Sequence, residues 1–129
     1  EILVIVNQHR AAGASCGGVP MAAVPPLTMV PSLRCAARVH TKDMVDRNFF
    51  DHTNPDGEEP WDRMVRAGYT WSSAGENIAA GNDTATATMD QWMNSPGHCR
   101  NIMSGDFVDI GVGHVESAAM WTQVFGAPR

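Results

Sequence analysis

The sequence predicts an α+β domain in which helices pack on a small antiparallel sheet. Apolar residues recur at helical spacing as far as residue 93, and residues 108–125 alternate between two faces as strands do. The helices precede the strands instead of alternating with them, which favours a layered α+β domain over a doubly wound one. With 129 residues, 43% of them hydrophobic, we expect one core and a single domain over 1–129.

The first half of the chain contains two predicted helices. Residues 2–12 have helical spacing and end at Gly13. Residues 32–49 give the clearest helix, with Ser32 as its cap. One face of this helix is apolar and includes a histidine, so we expect that histidine to be buried; the face consists of Leu33, Ala37, His40 and Met44.

Loops and turns separate these helices from the next. Residues 16–31 hold four of the eight prolines and read as a loop with a short edge segment at Leu27-Thr28. The sequence Asn-Pro-Asp-Gly at residues 54–57 predicts a turn. Trp61–Ala67 then makes a short helix that Gly68 ends.

The last third predicts two more helices and two strands. One helix begins at Asp83 or Thr84 and ends at Asn94-Ser95. Another begins with Ser95 as its cap and Pro96 in its first turn. The strands cover 108–113 and 121–125, joined by a loop near 115–119.

Charge and hydropathy exclude two classes of partner. The net charge is −5 and only nine Lys and Arg residues are scattered along the chain, which disfavours nucleic-acid binding. No apolar run approaches the roughly 18–20 residues of a membrane-spanning helix, so a soluble domain is expected.

Five histidines are available for chemistry. We assign structural roles to His9, His40 and His114, because isolated histidines commonly pack or hydrogen-bond. His52 and His98 sit instead at backbone boundaries, where side chains converge on clefts. His98 falls in the first turn of its helix, where the helix dipole disfavours imidazolium and leaves a ring able to bind a metal or a proton.

Glu76 is the carboxylate of most interest, since its neighbours are mostly small or apolar; a solvated turn is the alternative interpretation. Glu76 lies 24 residues after His52 and 22 before His98, so no local metal motif joins the three. The sequence has no nucleophile elbow, phosphate-binding loop or dinucleotide motif. Three cysteines allow one disulfide and one free thiol, but their spacing does not fix which.

At these segments the chain resembles the bacterial branch of the SCP-like superfamily, named for cysteine-rich secretory proteins, antigen 5 and pathogenesis-related 1 proteins. The resemblance covers nearly the whole chain, and the order of its motifs makes it specific. The motifs are Asn7-Gln8-His9-Arg10, Ala36-Ala37-Arg38-Val39-His40, Asn48-Phe49-Phe50-Asp51-His52, Ala67-Gly68-Tyr69, Gly75-Glu76-Asn77-Ile78-Ala79-Ala80-Gly81, Trp92-Met93-Asn94-Ser95-Pro96-Gly97-His98, Asn101-Ile102-Met103, Ile110-Gly111-Val112-Gly113 and Trp121-Thr122-Gln123-Val124-Phe125-Gly126.

The resemblance implies a three-layer α-β-α sandwich with a cleft in which His52, Glu76 and His98 meet. Such a set could hold a divalent ion, most simply zinc, with Glu76 as a direct ligand or acting through water. Many animal and plant members have a second glutamate, but that position falls on Ser95 here. One acid remains to act as a base, so the departure favours metal binding over hydrolysis.

The resemblance also implies a Cys16–Cys99 disulfide with Cys35 free, although Cys35 could pair with Cys16 instead. It implies a secreted, extracellular or periplasmic monomer that binds a peptide, lipid or protein ligand. We expect a binding module more than an enzyme. The alternatives are a zinc-dependent hydrolase, possibly a peptidase, with Glu76 as the catalytic base, and a structural domain of a larger surface protein.

Overall fold

Five α-helices and six strands make up the fold, which a computed structural model describes over all residues, 1–129. A single 3₁₀ turn, Glu116–Ala118, joins the last two strands. In chain order the elements are α1 (Ile2–Ala12), β1 (Ala14–Cys16), β2 (Val19–Met21), β3 (Thr28–Met29), α2 (Pro31–Asp46), α3 (Pro60–Arg66), β4 (Trp71–Ala80), α4 (Ala85–Met93), α5 (Pro96–Met103), β5 (Asp109–Val115) and β6 (Met120–Pro128).

A four-stranded sheet with the order β3-β5-β6-β4 forms the middle layer, and β1 and β2 form a separate hairpin. β5 and β4 both pair antiparallel to β6, whereas the two-residue β3 pairs parallel to β5. β4 is therefore an edge strand, and it carries Glu76 opposite Val124. Successive side chains of a strand point to opposite faces, so Glu76 meets α3 on one face and Asn77 meets α5 on the other.

Helices cover both faces of this sheet and divide the core in two. The larger cluster joins α1, α4 and α5 to one face through residues such as Val6, Trp92 and Phe125. The smaller cluster joins α2 and α3 to the other face through Leu33 and Met64. The α+β class with three α-β-α layers is thus confirmed.

Two glycines allow α2 to lie directly on the sheet. A Cβ on Gly111 would come within 2.1 Å of the Leu33 backbone, and one on Gly113 within 2.6 Å of Ala37. Both distances are shorter than real Cβ contacts, so only glycine fits at these positions. The close approach buries His40 on the same face of α2, as its helical spacing predicts.

The second helix differs at both ends from its prediction. It begins at Pro31 after Val30 rather than at a Ser32 cap, and it ends at Asp46 rather than at 49. Asn48 has a positive φ of 54°, and the N–H of Phe49 donates to the carbonyl of Met44. This left-handed termination ends the helix and turns the chain toward His52.

Two strand regions lie where no strand was predicted. β4 covers residues 71–80, whose small residues lack the alternation typical of a strand, and pairing with β6 fixes it as one. The β1–β2 hairpin lies within the predicted loop 16–31 and just before it. In contrast, Thr84 caps α4 by accepting from the N–H of Ala87, as expected.

A buried arginine ties the first helix to the end of α5. Arg10 is 1% exposed, and its guanidinium donates to the carbonyls of Pro25, Ile102, Ser104 and Phe107 at 2.8–3.2 Å. Burial lowers the pKa of Arg10. The carbonyl groups of Ile102 and Ser104 lie at the C-terminus of α5, where they carry partial negative charge that helps to balance the cation without a carboxylate.

No helix combines the length and apolar character needed to cross a membrane.

Candidate functional site

Glu76 is the centre of a buried polar cluster at the edge of the sheet. Its side chain is only 1% exposed and faces α3, from which Arg63 approaches. Nη2 of Arg63 donates to both carboxylate oxygens, at 2.9 and 3.2 Å. Arg63 is itself 2% exposed, so the two opposite charges are buried together.

His52 extends from the loop after α2 to the same carboxylate. Its Nδ1 lies 2.9 Å from Oε1 of Glu76, and its backbone carbonyl accepts from Arg63 at 2.8 Å. The hydrogen bond to Glu76 raises the pKa of His52, while burial opposes it. In the neutral ring Nδ1 donates to Glu76, so Nε2 is the nitrogen left to act as an acceptor.

His40 is completely buried and contacts the backbone immediately before His52. Its Nε2 donates to the carbonyl of Asp51 at 2.8 Å and is 3.7 Å from Oε1 of Glu76. Burial lowers the pKa of His40, although Glu76 opposes this shift. His40 therefore holds the backbone next to His52 in place, and its Nδ1 has no partner.

His98 comes from the other helical layer, in the first turn of α5. Asn77 donates to its carbonyl at 3.2 Å, and Asn101 donates to the carbonyl of Glu76 at 3.4 Å, which links α5 to β4. Burial, and then the charge of His52, lower the pKa of His98. Both effects favour the neutral form of the ring. Its Nδ1 is buried and unpartnered.

The chemistry available to this cluster follows from its hydrogen bonds. A carboxylate has about four lone-pair sites, and three on Glu76 already accept from Arg63 and His52. No group of three or more His, Cys, Asp or Glu side chains is arranged to hold a metal ion. Most of the hydrogen-bonding capacity of Glu76 is therefore already used within the protein.

Two cavities are relevant to ligand binding. One of about 380 Å³ lies beside the cluster and is lined by His52, Glu76 and the half-exposed indole of Trp61, among others. A larger one, about 640 Å³, lies elsewhere between α1, β5 and the start of α4. His114 lines it, stacked on Trp121 with ring centroids 3.5 Å apart. None of His52, Glu76 and His98 lines this larger cavity.

Sequence reasoning identified part of this cluster. The structure joins Glu76 directly to His52 through a hydrogen bond. His98 is linked to the same strand through its backbone carbonyl, which accepts from Asn77. Glu76 is in a buried strand, so the alternative of a solvated turn is wrong. Arg63 was missed; its place on one stripe of α3 with buried Pro60 and Met64 was the available signal, since a charge there needs a partner.

The cysteines are arranged as the resemblance implies. Cys16 and Cys99 form a disulfide, and Cys35 is free and exposed. The bond joins the β1–β2 hairpin to α5 one residue after His98.

Comparisons with known proteins agree with this architecture. A profile of the Cysteine-rich secretory protein family matches residues 3–125. The uncharacterized protein YkwD of Bacillus subtilis is 45% identical over 100 residues, which are 78% of this chain and 39% of YkwD.

Two solved structures are similar over almost the whole chain. An extracellular protein containing an SCP domain from Bacillus anthracis has a TM-score of 0.84 and 31% identity, over 97% of this chain and 38% of that one. An outer surface protein of Borrelia burgdorferi has a TM-score of 0.80 at 18% identity, over 99% of this chain and 93% of that one. This similarity shows the shared fold alone. The chain thus spans about two fifths of YkwD and of the B. anthracis protein.

Proposed function

The chain belongs to the cysteine-rich secretory protein family, and on that premise we propose that it is an extracellular binding module whose His52 and His98 bind a divalent cation such as zinc. The observation that carries this proposal is the state of Glu76. Its carboxylate is buried and accepts hydrogen bonds from Arg63 and His52. It therefore supports the ring of His52 instead of competing for the cation.

His52 has the arrangement that metal-binding histidines commonly have. One ring nitrogen donates to a carboxylate, which fixes the tautomer and makes the other nitrogen more basic. Here Nδ1 makes that bond at 2.9 Å, which leaves Nε2 for the cation. The imidazole is 45% exposed, so the ion can reach it from solvent.

His98 supplies the second imidazole. A lowered pKa keeps its ring neutral at physiological pH, and a neutral ring is the form that binds a cation. Because Nδ1 is buried, Nε2 is again the nitrogen available to the ion. Zinc bound by the two rings would keep coordination positions open for water or for oxygen atoms of a ligand.

Binding is favoured over hydrolysis for two reasons. Three of the roughly four lone-pair sites on Glu76 already accept hydrogen bonds from Arg63 and His52, which hinders it from taking a proton from water. Ser95, half-buried before α5, stands where a second acid would be needed and cannot replace it as a base. The cavity beside His52, with the indole of Trp61, is where we place the bound ligand.

An extracellular location is supported by the disulfide, since such bonds persist in oxidising compartments.

Calorimetric titration of zinc into the metal-free protein tests the proposal. We expect one site per chain, lost or weakened at least roughly tenfold in His52→Ala and in His98→Ala. His9→Ala is the matched control, because His9 lies on α1 away from the cluster, and it should bind as the unaltered protein does. Equal affinity in all four proteins would refute the assignment.

A further inference from the structure

The β1–β2 hairpin contacts α5 on both sides of His98. Cys16, the last residue of β1, is bonded to Cys99, the residue after His98. Gly17 lies against Pro96, two residues before His98, so closely that a Cβ on Gly17 would be 2.7 Å from Cγ of Pro96. The hairpin therefore restrains the chain immediately before and immediately after the histidine.

The turn of the hairpin consists of glycines because of its backbone. Cys16 pairs with Val19, which leaves Gly17 and Gly18 as a two-residue connection. Both have positive φ, 59° and 83°, the conformation that such tight turns need. The two glycines differ in surroundings, however, because a Cβ on Gly18 would meet no atom within 4 Å.

The helix that carries His98, α5, is too short to be stable without tertiary contacts. It has eight residues, and its N-cap Ser95 makes no side-chain hydrogen bond to the first turn. Helices this short are unstable in isolation, and the first turn is the part that frays. On the side of the sheet, the bond from Asn77 holds the carbonyl of His98.

We propose that the β1–β2 hairpin is the positioning element for His98: the Cys16–Cys99 bond and the Gly17–Pro96 contact hold its imidazole in the cleft beside His52. This inference rests on the proposed function for its purpose, because a positioned ring is needed to share a cation. Its structural content, the dependence of the His98 ring on the hairpin, stands apart from any metal.

Gly17→Ala, with Gly18→Ala as its matched control, tests the proposal. Both variants place alanine at a positive φ in the same turn, but only the methyl group added by Gly17→Ala would push on Pro96. In the metal-free protein, we expect Gly17→Ala to shift the imidazole NMR signals of His98 and Gly18→Ala to leave them unchanged. Zinc affinity should fall roughly tenfold in the first and stay the same in the second.

Pro96→Ala provides the rescue. It removes Cγ of Pro96, the atom nearest to the added carbon at 2.7 Å, and leaves Cβ at 3.0 Å. In Gly17→Ala/Pro96→Ala the added methyl group takes the place of the lost Cγ and restores the contact, so the His98 signals and the zinc affinity should return part of the way to those of the unaltered protein. If Gly17→Ala does not fold, Pro96→Ala alone carries the test, because the lost contact should shift the same His98 signals.

The outcomes separate this inference from the proposed function. Identical His98 signals in the Gly17 and Gly18 variants, or no shift in Pro96→Ala, would overturn the positioning role. If the unaltered protein binds no zinc, the proposed function fails, while the His98 signals still decide whether the hairpin positions the ring.

Discussion

Arg63 donates hydrogen bonds to both carboxylate oxygens of Glu76, and both side chains are almost excluded from water. The pair connects α3 to the edge strand β4 behind His52. A buried cation beside the carboxylate supports a positioning role for Glu76 rather than a role as base or direct ligand. The stability of the cleft and the orientation of His52 should therefore depend on this pair.

Glu76→Gln should destabilise the fold by about 3–5 kcal/mol, because it leaves the guanidinium of Arg63 buried without its counter-charge. Urea unfolding measures the change. The double variant Glu76→Leu/Arg63→Met removes both charges and should recover much of the loss. Lys42→Ala, which breaks an exposed pair with Asp46, is the control and should change stability little. A cost for Glu76→Gln no larger than that of Lys42→Ala would contradict this account.

Arg10→Lys should cost at least about 2 kcal/mol, because an ammonium cannot reproduce the planar fork that reaches four carbonyl groups. Thermal and urea unfolding both report the loss. Arg38→Lys, at an exposed position of α2, should be neutral by comparison. Equal stability of the two variants would show that Arg10 does not hold the end of α5.

Replacing both bonded cysteines, Cys16→Ser/Cys99→Ser, should lower the free energy of unfolding by about 4 kcal/mol. The bond spans 83 residues and restricts the unfolded chain strongly. Cys35→Ser changes an exposed free thiol and should leave stability unchanged. If the double variant and Cys35→Ser have the same free energy of unfolding, the disulfide does not stabilise the fold as proposed.

The sequence predicts the features that a local residue pattern determines, and it does not predict those that depend on contacts between distant segments. The buried face of α2 follows from helical spacing, so His40 was correctly placed in the core. β4 could not be predicted from its own residues, since pairing with β6 and not propensity makes it a strand. Spacing cannot join Glu76 to Arg63 or His52 either, because the sheet edge brings together residues that are distant in the chain.

Acid should destabilise the protein through His40. Burial lowers its pKa from the ordinary 6.5, so the unfolded chain binds more protons and stability is lost as pH falls through 6.5. His52 has the opposite effect on stability. Its pKa is raised above 6.5, so the stability that it contributes is present below pH 6.5 and is lost as the pH rises through the raised pKa.

Comparison with His40→Gln isolates the first effect, because the amide can still donate to Asp51. Urea unfolding at about pH 7.5 and about pH 5 should show a larger loss on acidification for the unaltered protein than for the variant. Parallel losses in the two proteins would exclude His40 as the source.

In the proposed site, His52 and His98 bind one cation while Glu76 accepts a hydrogen bond from Nδ1 of His52. A crystal structure of the protein soaked in zinc, with the ion located by anomalous scattering, tests it most directly. We expect one ion with a nitrogen of His52 and a nitrogen of His98 each at roughly 2.0–2.1 Å, and Glu76 still paired with Arg63. An ion bound elsewhere, or one bound directly by Glu76 with the Arg63 pair broken, would contradict it.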